Sequence, residues 1–398
     1  MTVLIKSATI IDPSSKHHLK KRDLLIVKGI ISKIAASIKP TKKIKEISFP
    51  NLHVSPGWFD SCVSFGEPGY EERETISNGL LTAAKSGFTH VAVNSDTLPV
   101  CDSKSTIKYL KSKSDGELVS LYPVGALTKE SQGTLLAELY DMYSEGAIAF
   151  YDYKVPVANP NMLKIALQYA QTFDGLVQSF PLERSLAKYG MVNENINSTK
   201  LGLKGIPPFA EELQITRDLY ILEYTGGKLH IPTISTQKSV QLLRDAKKKG
   251  LNVTCSVAIN NLICNDDHLE SFDSNFKLLP PLRTDKDIKA LIKGLNDGTI
   301  DGVTSDHRPM DIEQKVKEFD HAEYGSIGLE SCFGALNSVL ETEKAIEALT
   351  GLKKIFNIPQ NGIAEKNKAD LSLFDPDKEW TFTKKDIHSS SKNAALFG

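Results

Sequence analysis

"HVSPGWFDSCVSFGEPGYEERE" (53–74) reads as a strand that runs into a turn. Apolar and β-branched residues give way to Gly66, Pro68 and Gly69, and then to charge. The stretch that follows, "TISNGLLTAAKSG" (75–87), is amphipathic at helical spacing, and "HVAVNS" (90–95) is strand-like again. Strand-like runs recur at "LVSLYPVGAL" (118–127), "AIAFYDY" (147–153), "GLVQSF" (175–180), "KLHIPTIS" (228–235), "NVTCSVAI" (252–259) and "DGVTSD" (301–306). Longer helical patterns separate them. One, "TQKSVQLLRDAKKKG" (236–250), opens on a Thr cap and closes on Gly after a basic last turn.

Eight strands alternating with helices predict an α/β fold, a (β/α)8 TIM-type barrel over 53–357. A doubly wound open sheet is the alternative that the same pattern allows. The chain ends have a different texture. "VLIKSATII" and "DLLIVKGIISKIA" flank the turn "DPSSK", and "ADLSLFDP" and "EWTFT" return to strand character near the other end. A small β-sandwich domain built from 1–52 plus 358–398 accounts for both.

Composition narrows the function. With 40% hydrophobic and 24% charged residues in 398, this is ordinary globular material. A formal net charge of −1 gives no electrostatic case for nucleic acid or an anionic membrane. The basic runs "HHLKKR" (17–22) and "KPTKKIK" (39–45) are short and sit among turn residues, as solvated loops do. There is no run of eighteen apolar residues, no signal-peptide layout, no GxGxxG and no P-loop. The five cysteines are odd in number and none pair as CxxC, so a reduced, cytoplasmic chain is expected.

In a barrel the chemistry sits at the C-terminal ends of the strands. Those ends carry Asp60 to Ser64, Asp96, Thr128, Asp152, Phe180, Thr233, Asn260 and Asp306. Here the chain resembles a known family. "PGWFDSCVSFGEPGYEERETISNG" (56–79), "GAIAFYDYKVP" (146–156), "LGLKGIPPFAEELQITRD" (201–218), "LPPLRTDKD" (279–287), "DGVTSDHRPM" (301–310) and "YGSIGLES" (324–331) resemble, in order, the motifs of dihydroorotases. "KADLSLFDPDKEW" (368–380) is similar to that family's returning β segment, and the family normally continues with further strands of that domain.

The resemblance implies an amidohydrolase barrel with zinc at its mouth, but the residues depart from it. Cys62 and Ser64 stand at the two histidine positions of the first strand, Phe180 at that of strand five and Thr233 at that of strand six. Asp152 matches the strand-four carboxylate, and Asp306 matches the strand-eight aspartate that serves as ligand and proton shuttle, here expected to be idle. Among substrate positions, Gly66 replaces the Arg that pairs with the substrate carboxylate, and Asp96 and Leu279 replace two asparagines. Met310 replaces the His that closes the strand-eight motif.

Opening a cyclic amide needs an activated water and a polarised carbonyl, and zinc supplies both. Catalytic zinc takes about three protein ligands with one open position. The matched positions offer only Cys62, Asp152 and Asp306. A Cys–His pair would need His307, which suits packing beside the site better; His53 lies at the wrong end of the strand. The expectation is therefore no cofactor and a catalytically inactive family member of pyrimidine synthesis. The resemblance is closest to the long bacterial type, which associates with aspartate transcarbamoylase, so that enzyme and further copies of the chain are the expected partners. The alternative is an active dihydroorotase or other cyclic amidohydrolase with an altered, mononuclear zinc site.

Overall fold

The structure, a computed structural model, describes residues 2–39 and 44–397. The central part of the basic run 39–45 therefore lies outside the described residues. In the first run, residues 13–19 form turns and Lys21 and Arg22 open a strand.

Both chain ends contribute to one six-stranded sheet. Its strands are β1 (Thr2–Ile10), β2 (Lys21–Val27), β3 (Ile30–Ala35), β4 (Lys45–Ile47) and β5 (His53–Pro56), joined by a strand from the far end, Leu371–Phe374. β5 pairs parallel with β1 and antiparallel with the distant strand. The sheet thus runs four residues past the boundary expected at 52. Pro56 and Gly57 explain the break. A Cβ on Gly57 would lie 2.1 Å from Thr89 Oγ1, so only glycine lets the chain pass between the sheet and the barrel.

The barrel begins at β6 (Trp58–Val63) and continues through β7 (Phe88–Val93), β8 (Ser120–Gly125), β9 (Ala149–Phe150) and β10 (Leu176–Gln178). A short pair, β11 (Val192–Asn193) and β12 (Gly205–Ile206), stands aside from it. Then come β13 (Lys228–Ile231), β14 (Val253–Ala258) and β15 (Gly302–Thr304); β16 is the sheet strand Leu371–Phe374. The eight barrel strands are all parallel and ordered β15-β14-β13-β10-β9-β8-β7-β6, which excludes the doubly wound alternative.

Closure between β15 and β6 relies on one bridge, Val63 with His307, and on the buried Asp60. Asp60 accepts from Cys62 N at 3.0 Å within its own strand and from Ser305 N at 2.9 Å and Thr304 Oγ1 across the gap. A side chain thereby supplies bonds that a longer strand would have made with its backbone. Helices form the outer layer as their caps predict: Ile76–Lys85 starts at Thr75, and Gln237–Lys248 at Thr236, each accepting a backbone N–H. Among the described residues no helix is long and apolar enough to cross a membrane.

The last stretch departs from expectation. "EWTFT" (379–383) is not a strand; beyond Phe374 the chain leaves the sheet and packs against the barrel. Asn393 accepts from Met310 N and donates to Arg308 O and Gly325 O, while Ser389 bonds the half-buried carboxylate of Glu330 and Ser390 the buried one of Glu74. Near by, the loop after β15 is pinned by Lys315, whose Nζ donates to the carbonyls of Ser274, Glu323 and Gly325. Burial lowers the Lys315 pKa from its ordinary 10.5 to about 7. Between those values the unfolded chain holds a proton that the folded chain lacks, so this group's contribution to stability rises with pH over that window. The melting-temperature advantage of the native chain over Lys315→Met is therefore expected to widen from pH 7 towards pH 10. A constant or shrinking difference would contradict it.

Candidate functional site

The mouth of the barrel is built where β6 and β15 end. Cys62 is the last but one residue of β6, with its thiol 3.7 Å from Asp306 Oδ1 and accepting from Asn94 Nδ2 at 3.4 Å. Burial and the neighbouring Asp306 carboxylate push the thiol pKa well up, so Cys62 stays a neutral thiol. Asp306 sits at φ +49°, just past β15, and Lys154 Nζ lies 2.7 Å from its Oδ2. Both side chains of this pair are only 6% exposed. Tyr153 adds its hydroxyl to Asp306 Oδ1 at 3.5 Å.

Ser64 lies beyond the strand end, and its hydroxyl donates to both Asp96 oxygens, at 2.6 and 2.7 Å. The same carboxylate lies 3.8 Å from Arg308 Nε. The negative charge of Asp96 is thus met by the chain's own cation.

Asp152 does not join this group. Its carboxylate accepts from Leu127 N at 2.8 Å, Thr128 N at 2.9 Å and Thr128 Oγ1 at 2.5 Å, tying β9 to the turn after β8. The expected set of Cys62, Asp152 and Asp306 therefore does not converge; Tyr153 and Lys154 face Asp306 instead. Phe180 is buried in the same apolar cluster as Cys62, Tyr151, Tyr153 and Phe59, which fills the barrel interior. Thr233 is buried with φ +50°, its hydroxyl unpartnered.

The substrate positions are structural as well. Gly66 has φ +106°, and a Cβ there would lie 2.6 Å from Tyr70 O. Leu279 precedes the cis bond to Pro280 and packs on the Phe180 cluster, and Met310 is buried with its N–H on Asn393.

The histidines stand apart. His307 Nδ1 accepts from Gly328 N at 3.2 Å and its ring meets Phe65 edge-on, with no hydrogen bond to Cys62. Burial lowers its pKa. His230 lies inside the barrel between Thr254 and Ser256, and burial lowers its pKa to about 3. His53 belongs to β5, outside the barrel, on Asn51 O.

These residues do not fit zinc. Among the described residues no three His, Cys, Asp or Glu side chains gather in a metal-holding group. At the mouth the nearest approach to one is a protonated thiol beside a carboxylate already neutralised by lysine. Thr233 Oγ1 and Asn260 Oδ1, two of the buried polar atoms left without partners, are neutral oxygens at strand ends that suit water better than a dication. His307 Nε2 is also unpartnered, but with Nδ1 accepting from Gly328 N it carries the ring proton and cannot ligate. Lys154 and Arg308 are the mouth residues that sequence reasoning missed. Their signal was a cation two residues after a strand-end acid, in "DYK" (152–154) and "DHR" (306–308).

An eight-stranded parallel barrel carrying a sheet from both chain ends defines the amidohydrolase architecture. Solved structures agree: L-hydantoinase (dihydropyrimidinase) from Arthrobacter aurescens superimposes with a TM-score of 0.84 at 20% identity, covering 100% of this chain and 92% of that one. D-hydantoinase (dihydropyrimidinase) from Thermus sp. gives 0.81 at 22% identity, covering 100% and 91%.

Sequence comparison is more specific. A family profile described as Dihydro-orotase-like matches residues 53–239. The chain is 36% identical to a dihydroorotase of Geotalea daltonii, over 100% of this chain and 95% of that protein. It is 37% identical to a dihydroorotase of Pelotomaculum thermopropionicum, over 95% and 90%. The chain belongs to the dihydroorotase family.

Proposed function

We propose that this chain is a non-catalytic member of the dihydroorotase family that serves pyrimidine synthesis through its surface, as a structural partner of aspartate transcarbamoylase. The observation that carries the first half is the ion pair Lys154–Asp306 at 2.7 Å. An ammonium group lies against the carboxylate that would act as ligand and proton shuttle. Around it, Tyr153, Phe180 and Cys62 fill the space, each at most 6% exposed. An activated water needs a cation with an open position and a free base, and the mouth offers neither. A dihydroorotate carboxylate arriving there would meet Asp96 hydrogen-bonded by Ser64 and ion-paired with Arg308 at 3.8 Å, with a glycine where an arginine clamp would be needed.

The scaffold is intact around this filled mouth, which supports a role that uses the fold and not the chemistry. The transcarbamoylase partner rests on the family resemblance. The rival reading, an active amidohydrolase with one zinc, is favoured only by the contact of Cys62 with Asp306.

Two measurements separate them. Protein purified without chelator is expected to hold well under one zinc per chain and to show no dihydroorotate turnover with added zinc. Stoichiometric zinc together with turnover would establish the rival. For the partner, this chain and the aspartate transcarbamoylase of the same organism are expected to co-elute in size-exclusion chromatography at micromolar concentration. Separate elution, with transcarbamoylase activity unchanged by this chain, would remove the scaffold role.

A further inference from the structure

The N-terminal face of the barrel, opposite the mouth, holds a cavity of about 530 Å³. Its walls are the starts of four parallel strands. Leu176 opens β10, Lys228 opens β13, Asn252 precedes β14, and Ile300 and Asp301 precede β15. Two helices close it from outside, Thr342–Thr350 through Lys344, Glu347 and Ala348, and Leu352–Ile355 through Lys354 and Ile355. This face of a barrel ordinarily carries stability alone, so a loose seam there would need no occupant. The packing beside the cavity argues against a seam. A Cβ on Gly302 would lie 2.6 Å from Leu352 Cγ, and one on Gly351 would lie 2.7 Å from Asp301 O. The same elements thus meet at glycine contact on one side and part on the other. The space they leave is of the size of small-molecule sites, about 300–1,000 Å³.

The lining combines an apolar wall with charges of both signs. Leu176, Leu229, Leu295, Ile300, Ala348 and Ile355 form the wall. Lys228, Lys344 and Lys354 bring three ammonium groups, and Asp301 and Glu347 bring two carboxylates. Both carboxylates are engaged. Asp301 accepts from Lys247 Nζ on both oxygens at 2.7 Å and from Cys255 N at 2.7 Å, and Glu347 pairs with Lys344 at 2.6 Å. Lys228 is held by Asp174, also at 2.6 Å. Of the three lysines, Lys354 alone forms no ion pair among the described residues, and its neighbour Lys353 turns to Asp370 at 3.0 Å. Thr254 adds a hydroxyl at the inner end, 2.9 Å from His230 Nδ1.

We infer that this cavity binds a small organic monoanion with an aromatic or branched apolar body, its acid group on Lys354 and its body against the leucines and isoleucines. Charge sets the class. One uncommitted ammonium group matches one negative charge, through a charge-assisted hydrogen bond at the rim. A polyphosphate would bring further charges to Asp301 and Glu347 with no free cation to meet them. An uncharged apolar molecule would gain from the wall but leave Lys354 unused. The site shares no residue with Lys154, Asp306 or the rest of the mouth, so it stands or falls apart from the reading given above.

The test titrates the purified full chain with β-naphthoate, a two-ring body carrying one carboxylate, and follows the ligand's fluorescence. Saturable binding of one molecule per chain is expected at micromolar to submillimolar concentration. The uncharged β-naphthamide, and β-naphthoate on the Lys354→Met variant, are each expected to bind about tenfold or more weakly. Lys354 is exposed, so the variant should keep the native circular dichroism; Lys108→Met, at an exposed position on the helix Lys104–Lys113, should bind as the native chain does. Absence of saturable β-naphthoate binding at millimolar concentration overturns the proposal. So does equal binding of the amide, or an unchanged affinity in a folded Lys354→Met. If that variant fails to fold, hydrogen exchange of the native chain with β-naphthoate decides. Slower exchange at 298–301 and 344–355 supports the site, and protection confined to the mouth or to other surfaces overturns it.

Discussion

Lys154→Met is expected to destabilise the protein by about 3–5 kcal/mol, the cost of leaving one member of a buried ion pair without its partner. Asp306 accepts from Lys154 at 2.7 Å, and both side chains are almost fully enclosed. Its remaining contacts, the Tyr153 hydroxyl at 3.5 Å and the Cys62 thiol at 3.7 Å, are long and neutral. Methionine keeps the length and packing of the lysine stem and leaves the φ of +55° at residue 154 as strained as before, so the loss reports the charge. The double variant Lys154→Met, Asp306→Leu removes both charges and is expected to recover most of the loss, since an apolar replacement of a whole buried pair is often neutral. Urea unfolding of the two variants measures this. If Lys154→Met costs under 1 kcal/mol, Asp306 has another cation or water, and the mouth is more open than these distances say.

The same pair explains how a mouth that resembles a metal site holds together with no imidazole in it. A buried carboxylate needs a cation, and in a zinc enzyme the metal provides it. Here an ammonium from the β9 loop does so. The carboxylates and the hydroxyl that could have faced a metal from the matched positions are engaged elsewhere: Asp152 by Leu127 and Thr128, Ser64 by Asp96, and Asp96 by Ser64 with Arg308 as its counter-charge at 3.8 Å.

Strand positions were legible because each barrel strand is a short apolar run between helical patterns, and the parallel order follows from that alternation. The split of "HVSPGWFD" (53–60) between sheet and barrel was less so. Pro56-Gly57 marks the break, but the partners of β5 are β1 and the far chain end, and nothing local names them. "EWTFT" (379–383) has strand propensity, yet the chain there is drawn to the barrel by distant carboxylates and by Asn393. Tertiary bonds overrode propensity.

At the site, the residues that stand at the expected positions were readable and their directions were not. β9 is two residues long, so the alternation that sends Asp152 one way and Tyr153 and Lys154 another cannot be counted along a regular strand. Resemblance aligned Asp152 with a ligand; its three hydrogen bonds to the β8 turn make it a staple.

The second large effect is expected at Gly66, where family resemblance looks for an arginine. Gly66→Ala should cost about 2–3 kcal/mol, from two causes that add. The φ of +106° lies outside the region any side chain adopts easily, and such strain costs of order 1–3 kcal/mol. The new Cβ would also lie 2.6 Å from the backbone oxygen of Tyr70 and 3.2 Å from its Cβ. The turn cannot relax cheaply, because Tyr70 N donates back to Gly66 O at 3.0 Å. Arginine at this position carries the same Cβ, so Gly66→Arg is expected to fall in melting temperature at least as far as alanine and to gain no affinity for dihydroorotate, measured by calorimetry on the zinc-treated protein. A folded Gly66→Arg variant that bound the substrate would show that the turn still accepts the family's backbone path and that the missing clamp is a lone substitution. The left-handed backbone and the close Tyr70 carbonyl at Gly66 argue for the opposite outcome, in which the main chain itself opposes an arginine and the side chain alone does not restore binding.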